Sequence, residues 1–279
     1  MTTRRFAQVD VFTAAALRGN PLAVVHDAAG LSDARMAGFA RWTNLSETTF
    51  LLPPTDAAAD YRVRIFTPGG ELPFAGHPTL GSCHAWLAAG GRPRDPAEVV
   101  QQCGIGLVRV RRGEGGLLSF AAPPLRRSGP ADAATLAQAA RALGVELARI
   151  RRHQWVDNGP GWLALMFDSA AEVLALQPDF VAMGALRLGV VGPHPAGSES
   201  DFEVRFFAAA IGINEDPVTG SLNAGLALWL IGAGLAPDRY VAAQGAALGR
   251  AGRVTVQRDG DTVWIGGAVT PVIAGTVRI

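Results

Sequence analysis

One pattern occurs twice in this chain, once in each half. The first copy, PFAGHPTLGSCHAWL, covers residues 73–87, and the second, EDPVTGSLNAGLALWL, covers 215–230. Each copy follows a strand-like V-R-x-F segment and passes through a Gly-polar step, Gly76-His77 or Gly220-Ser221, into an apolar segment. Because a turn followed by an apolar run marks a helix start, the repeat predicts two similar halves, each with a helix N-terminus at its Gly-polar step. Two such helix starts suggest a single site at the seam of the halves.

Short segments of alternating polarity predict mostly antiparallel strands on both sides of a Pro-rich stretch. These segments cover 7–12, 22–25, 48–52, 61–66 and 107–110, and then 161–166, 186–191, 202–207, 254–256 and 263–265. Helical patterns cover 32–42, 132–143 and 170–176, besides the two apolar segments of the repeat. The stretch 123–130 has the composition of a linker. The prediction is an α+β protein with an N-terminal lobe over 1–125, a C-terminal lobe over 126–265, and a strand at about 266–279 that could return to the first lobe.

Composition limits the chemistry that the chain can perform. With 49% hydrophobic residues, 18% charged residues and a net charge of +1, a substantial core is expected, and no nucleic-acid or membrane partner is indicated. The chain contains no lysine, which excludes Schiff-base, pyridoxal-phosphate and Walker-type lysine chemistry. The N-terminal segment lacks the apolar stretch of a signal peptide, and the longest apolar run, 222–236, is too short to span a membrane. We therefore expect a soluble, cytoplasmic protein.

The two cysteines, Cys83 and Cys103, stand in no paired spacing. Neither a disulfide nor a metal centre is predicted, because no group of cysteine, histidine or carboxylate residues has metal-ligand spacing. Cys83 falls within the apolar pattern of a helix and is expected in the core.

The second copy of the repeat has two interpretations. Asp216-Pro217 is a good helix start, with the aspartate as N-cap and the proline in the first turn. A cap alone does not require the many polar residues around it, however. Thr219, Gly220 and Ser221 also offer consecutive backbone N–H groups, which are the ingredients of an anion cradle.

His77 occupies the matching position in the first copy. A lone histidine is usually a hydrogen-bonded structural residue. At a helix N-terminus, however, the dipole disfavours the imidazolium, so His77 could act as a neutral donor or proton relay near pH 7.

Glu47 breaks the internal symmetry. Asn44-Leu45-Ser46-Glu47 has capping-box spacing, but the β-branched segment that follows it ends at two prolines and is too short for a helix. Glu47 is therefore predicted at the start of a strand, and the aligned region of the second half, 186–189, contains no acid. We regard it as a candidate base. Glu71 could be a turn residue or a partner of site residues, whereas Arg64 and Arg205 are interpreted as strand residues that support the turns by hydrogen bonds.

Together these motifs resemble the phenazine-biosynthesis PhzF-like isomerase family over essentially the whole chain. The matching motifs are Gly19-Asn20-Pro21, Asn44-Leu45-Ser46-Glu47-Thr48, Arg64 to Thr79, and Glu215-Asp216-Pro217-Val218-Thr219-Gly220-Ser221. The resemblance implies the diaminopimelate-epimerase-like fold. In that fold, two pseudo-symmetric lobes each wrap a mostly antiparallel sheet around a central helix, and the active site lies in the cleft between the lobes.

The resemblance also implies roles for individual residues. It places the catalytic set on Glu47, His77, Asp216 and Ser221, with Glu47 as the acid/base that moves a proton between carbons of the substrate. It implies substrate binding by Asn20 and by the backbone around Gly76 and Gly220, with no metal or other cofactor. A homodimer is expected on the same basis.

The predicted function is a cofactor-independent isomerase that shifts a proton within a small carboxylate-bearing, cyclic or unsaturated amino compound. A second hypothesis is a cofactor-independent amino-acid epimerase, and a third is a non-catalytic metabolite-binding protein of the same fold. Epimerase and racemase relatives place a thiol at each Gly-polar step, where this chain has His77 and Ser221. The residues after that serine, Leu222-Asn223, depart from the alanine and histidine that are common in the family, which weakens the prediction of the dihydro-hydroxyanthranilate substrate itself.

Overall fold

The computed structural model describes residues 2–279, which divide into two compact units. The first unit contains the residues up to Ala121 together with Gly266–Ile279, and the second contains Ala122–Ile265. Within residues 2–279, no helix is both long and apolar enough to cross a membrane.

Strands and short helices alternate along the chain in a similar order in the two units. The first unit begins with β1 (Thr3–Val11), β2 (Asn20–Val25), α1 (Asp33–Thr43), β3 (Thr48–Leu52), β4 (Tyr61–Thr67), β5 (Gly70–Leu72), α2 (Gly76–Ala88), β6 (Glu98–Cys103), β7 (Gly106–Arg112) and β8 (Leu118–Ala121). The second follows with α3 (Ala133–Leu143), β9 (Arg152–Trp155), β10 (Leu163–Met166), α4 (Ala170–Ala175), α5 (Phe180–Met183), β11 (Leu188–Pro193), β12 (Phe202–Phe207), α6 (Gly220–Gly232), β13 (Arg239–Gln244), β14 (Gly252–Asp259) and β15 (Thr262–Gly267). The last strand, β16 (Val269–Arg278), pairs with β1.

The strand pairing is the same in both units. In the first, β1–β2, β3–β4 and β6–β7 are antiparallel, while β2–β3 and β4–β6 are parallel. In the second, β9–β10, β11–β12 and β13–β14 are antiparallel, while β10–β11 and β12–β13 are parallel. One topology is therefore used twice, which confirms the predicted α+β class with two similar lobes and mostly antiparallel strands.

Each unit has its own packed core. In the first, aromatic and aliphatic side chains of β2, β3, β4 and α1 form a cluster around Phe50 and Phe66, whose rings meet edge to face at 5.6 Å. In the second, α3, α4 and α5 cover the face of β10 and β11, around Leu165, Val190 and Phe207. Burial of such side chains is worth about 1.5–3 kcal/mol each, so the strands of each unit are held to its helices mainly by apolar contact.

The repeat motifs form the two most buried helices, α2 and α6. Most residues of α2 are buried, and those of α6 are buried on nearly every side. A helix that is apolar all round belongs inside a domain, and small residues let it approach its neighbours closely. Gly81 of α2 and Gly225 of α6 occupy the same place in the two helices. A Cβ at Gly81 would lie 2.6 Å from a Leu22 methyl, and a Cβ at Gly225 would lie 2.4 Å from the carbonyl oxygen of Val156.

Gly225→Ala is expected to destabilise the protein by about 1–3 kcal/mol, because the new methyl group would collide with backbone rather than with a movable side chain. Gly232→Ala is the matched control in the same helix, since a Cβ there meets nothing within 4 Å. That change is expected to be neutral or stabilising by up to about 1 kcal/mol. Urea unfolding followed by circular dichroism measures both effects. Equal stability of the two variants would contradict the close approach at Gly225.

Candidate functional site

Neither central helix is capped by a side chain within residues 2–279. Helix α2 begins at Gly76 after Ala75, and α6 begins at Gly220 after Thr219. The interpretation of Asp216 as the N-cap of α6 is therefore wrong, because Thr219 holds that position. The first N–H groups of a helix have no intrahelical acceptor, and the helix dipole gives them partial positive charge. Both Gly-polar steps thus present backbone donors suited to an anion.

A buried glutamine braces each of these helix starts. In the first unit, the Gln101 side chain donates to the Thr79 hydroxyl at 3.0 Å and accepts from the Tyr61 hydroxyl at 2.8 Å. In the second, the Gln244 side chain accepts from the backbone N–H of Thr219 at 3.0 Å and donates to its hydroxyl at 3.0 Å. Because these bonds are buried, they fix the direction in which each helix start points.

The side chain of Asp216 is held close to the start of α6. It is buried, and one carboxylate oxygen accepts a hydrogen bond from the Thr219 hydroxyl at 2.5 Å. The backbone carbonyl of Asp216 accepts from the Gln244 amide at 3.1 Å. The predicted site residue Asp216 is thereby held by Gln244, the same glutamine that fixes the start of α6 at Gly220.

Glu47 lies in the short turn between α1 and β3. Asn44 is the C-cap of α1 and adopts the left-handed conformation, with φ 55° and ψ 28°. The apparent capping box is therefore the end of one helix and not the start of another. The hydroxyls of Thr43 and Thr48 lie 3.0 Å apart across the turn and fix its shape. Only 13% of the Glu47 side chain is exposed.

The structure brings Glu47, His77 and Asn20 together within the first unit. One carboxylate oxygen of Glu47, Oε2, lies 3.3 Å from Nε2 of His77, and the amide nitrogen of Asn20 lies 3.5 Å from Nδ1 of the same ring. An amide donor at Nδ1 assigns the proton of the neutral ring to Nε2, which faces the carboxylate. Burial lowers the pKa of His77 to about 3. The contact is therefore a close approach of a carboxyl group to a neutral imidazole, without the alignment of a hydrogen bond between the two.

We expect His77 to remain neutral from pH 8 down to about pH 4, as ¹H–¹³C NMR of the imidazole would report, with His77→Asn identifying the signal. The folded state disfavours the charged ring, so stability should fall as the pH drops from about 6.5 towards 3. The total loss of folding free energy is on the order of 4–5 kcal/mol, since each unit of pKa shift corresponds to 1.36 kcal/mol. The Asn variant should lose this part of the pH dependence. Titration of His77 near pH 6.5 would contradict this picture.

A buried carboxylate shapes the loop that ends at Asn20. Asp10 accepts hydrogen bonds from the backbone N–H groups of Arg18 and Gly19, at 2.7 and 2.9 Å. A Cβ on Gly19 would lie 2.2 Å from the carbonyl oxygen of Val11, so only glycine fits there. The Gly-Asn-Pro motif is thus a turn that delivers the Asn20 amide to His77.

The second unit repeats this arrangement with different side chains. The Asp157 carboxylate accepts from the backbone N–H groups of Gly159 and Gly161 at 2.7 and 2.6 Å. The Asn158 amide donates to the backbone carbonyl of Ser221 at 2.7 Å, and the Trp162 indole N–H donates to its hydroxyl at 3.1 Å. Sequence reasoning did not identify Asn158 and Trp162 as site residues, although Asn158-Gly159-Pro160 is a visible counterpart of the first motif.

The two strand arginines form equivalent ion pairs. Arg64 makes two hydrogen bonds to Glu71, at 2.7 and 2.6 Å, and Arg205 makes two to Glu215, at 2.9 and 2.8 Å. Arg205 also donates to the carbonyl oxygen of Leu176 at 2.8 Å. These bonds confirm that both arginines support the turns. Glu71 is therefore the ion-pair partner of Arg64 in the first unit, as Glu215 is of Arg205 in the second.

Both cysteines are free. Cys83 is fully buried on α2, as predicted, and burial raises the pKa of its thiol to about 12. Among residues 2–279, no group of three or more histidine, cysteine or carboxylate side chains is arranged to hold a metal ion.

Comparison with known proteins gives consistent matches over the full length. The model of the phenazine biosynthesis-like protein family, PhzC-PhzF, matches residues 9–275. The antisense-enhancing sequence 1 protein of Schizosaccharomyces pombe is 36% identical, with 99% of each chain covered. The trans-2,3-dihydro-3-hydroxyanthranilate isomerase of Pseudomonas aeruginosa is 33% identical, over 92% of this chain and 91% of that protein.

Solved structures support the same fold. A PhzF-family phenazine biosynthesis protein from Enterococcus faecalis superposes with a TM-score of 0.83 at 26% identity, over 100% of both chains. A hydroxyproline epimerase from Agrobacterium vitis superposes with a TM-score of 0.58 at 15% identity, over 99% of this chain and 91% of that one. The latter likeness concerns the fold alone, and it agrees with the predicted diaminopimelate-epimerase-like architecture.

Proposed function

Since the chain belongs to the phenazine biosynthesis-like PhzC-PhzF family, whose members include named isomerases, we propose that it is a cofactor-independent isomerase. In this proposal, the enzyme moves a proton between carbon atoms of a small, carboxylate-bearing, cyclic or unsaturated amino compound. The observation that carries it is the buried carboxyl group of Glu47, 3.3 Å from a neutral His77 at the start of α2. Burial is one means by which enzymes tune a general base, and the neighbouring imidazole is a group with which the carboxyl could exchange its proton.

The proposed roles follow from what each group can donate or accept. Glu47 removes the proton from a carbon atom next to an unsaturated system and returns it to another carbon, and the Nε2–H of His77 stabilises the carboxyl group or relays its proton. Asp216 and Ser221 assist proton transfer and orient the substrate, and Asn20 fixes the imidazole tautomer. The backbone N–H groups at Gly76 and Gly220 bind negative charge, which fixed dipoles stabilise without reorganisation.

The arrangement gives less support to a racemase that works with two thiols. His77 and Ser221 stand at the two Gly-polar steps, while Cys83 is buried in the middle of α2 with its thiol pKa raised. Only the thiolate form is an effective base or nucleophile, so Cys83 is unsuited to that role.

Reaction in heavy water tests the proposal. The purified protein is incubated with trans-2,3-dihydro-3-hydroxyanthranilate, which a relative's name suggests as a first substrate, and with proline and trans-4-hydroxyproline as epimerase substrates. Isomerisation changes the ultraviolet spectrum and places deuterium at a new carbon, whereas epimerisation gives a stereoisomer deuterated at Cα. Deuterium at Cα without a shifted double bond would overturn the isomerase proposal in favour of the epimerase.

A further inference from the structure

Position 187 in the second unit corresponds to position 47 in the first. Strand β3 begins its pairing with β4 at Thr48, and β11 begins its pairing with β12 at Leu188. Both strands run parallel to the preceding strand of their unit, β2 or β10. The residue immediately before the strand is therefore Glu47 in one unit and Arg187 in the other, so the duplicated fold places opposite charges at equivalent positions.

Arg187 has no carboxylate partner among residues 2–279, in contrast to the paired Arg64 and Arg205. The side chain is half-buried, and Nη1 donates to the carbonyl oxygen of Pro160. Its guanidinium carbon lies 5.9 Å from the ring centroid of Trp162. A guanidinium has five N–H donors, and the described residues leave most of those of Arg187 without a protein acceptor. A partly desolvated cation of this kind is suited to bind an anion.

Trp162 connects Arg187 with the start of α6. Its ring packs edge to face on the buried Phe206 at 4.6 Å, which holds the indole in place. From there, the indole N–H donates to the Ser221 hydroxyl at 3.1 Å. Arg187, Trp162 and Ser221 thus form one contiguous cluster, which we name the Arg187 subsite. In the first unit, the residue before β3 approaches the helix start directly, through the Glu47–His77 contact.

We propose that Arg187 is the residue that recognises the carboxylate of the substrate, which its guanidinium binds through paired N–H donors. The planar fork of arginine matches the two oxygens of a carboxylate, and charge-assisted bonds of this kind are about twice as strong as neutral ones. The proposal rests on the isomerase function, to which it adds the residue that selects a carboxylate-bearing substrate.

Isothermal titration calorimetry with anthranilate, and with aniline as its carboxylate-free counterpart, tests the subsite by binding alone. Arg187→Gln is expected to weaken anthranilate binding at least about tenfold while changing aniline binding little. Arg187→Lys, which keeps the charge but not the fork, should bind with intermediate affinity. Arg239→Gln removes the same charge from an exposed position on β13 and should bind like the wild type.

Several results would overturn the proposal: equal anthranilate binding by wild type and Arg187→Gln, no preference of the wild type for anthranilate over aniline, or a lysine variant as weak as the glutamine one. Failure of the isomerase function would show itself differently, as an absence of Glu47-dependent deuterium transfer in heavy water. Glu47→Gln should still bind anthranilate, because that change removes the base and leaves the Arg187 subsite intact. Circular dichroism of each variant verifies folding, and the lysine variant decides the question if the glutamine variant does not fold.

Discussion

Glu47→Gln is expected to lower turnover by about 10²–10⁴-fold, because an amide cannot remove or return a proton and a positioned general base contributes about that much. The change keeps the size and shape of the side chain. It also replaces a mostly buried carboxyl group by a neutral one, so the melting temperature should stay within a few degrees of the wild type or rise. Steady-state kinetics on a substrate that the wild type isomerises, together with thermal unfolding, measures both.

Glu98→Gln is the matched control for this experiment. Its carboxylate lies in the same unit, on β6, and is 13% exposed, as that of Glu47 is, but it pairs with Arg109 at 2.6 Å. This variant should retain wild-type turnover, since Glu98 contacts none of the proposed catalytic groups. Wild-type activity of Glu47→Gln, or an equal loss in both variants, would remove Glu47 from the role of base.

Much of the fold could be predicted because alternation and turn residues are local signals. The predicted strands at β2, β3, β4 and β12 and the helices α1, α3 and α4 lie within a few residues of their observed bounds. Strands such as β9 (RHQW) and β13 (RYVAAQ) carry no alternating pattern, and their neighbours in the sheet determine their conformation.

The last strand was predicted, at about 266–279, but its bulged pairing was not. Strand β16 contains Pro271, which ordinarily argues against a strand. Here β16 is the outermost strand of the first unit, and the pairing register with β1 shifts between Gln8 and Val9, where Val9 faces Pro271. The bulge accommodates a residue that cannot donate a backbone hydrogen bond. No local pattern reveals such a bulge.

The candidate site was predictable in its residues but not in its contacts. Departure from internal symmetry identified Glu47, and the Gly-polar step identified His77. Their 3.3 Å contact depends on the C-cap conformation of Asn44 and on the packing of α2. Both are features of the folded structure that the sequence pattern does not show. Trp162 was missed for the same reason, since a tryptophan in an apolar strand has the appearance of a core residue until its N–H is seen to reach Ser221.

The two equivalent ion pairs allow the effect of burial on the strength of an ion pair to be measured within one protein. Glu215→Gln is expected to lower the free energy of unfolding by about 3–5 kcal/mol, because it leaves the guanidinium of Arg205 buried without its counter-ion. Both partners are almost fully buried, with side chains 6% and 9% exposed. Urea unfolding and hydrogen exchange of the amides in β12 and α4 would report the loss in the second unit.

Glu71→Gln makes the equivalent change in the first unit and should cost no more than about 1 kcal/mol. There the carboxylate is 41% exposed, and Arg64 keeps a second partner in Asp33, whose carboxylate oxygen lies 2.6 Å from its Nη1. Water and Asp33 therefore compensate the charge that the substitution leaves behind, whereas the buried Arg205 keeps, among residues 2–279, hydrogen bonds only to backbone carbonyls, including that of Leu176. Losses of similar size at both positions would mean that the bidentate geometry, which the two pairs share, determines their strength, and that burial does not.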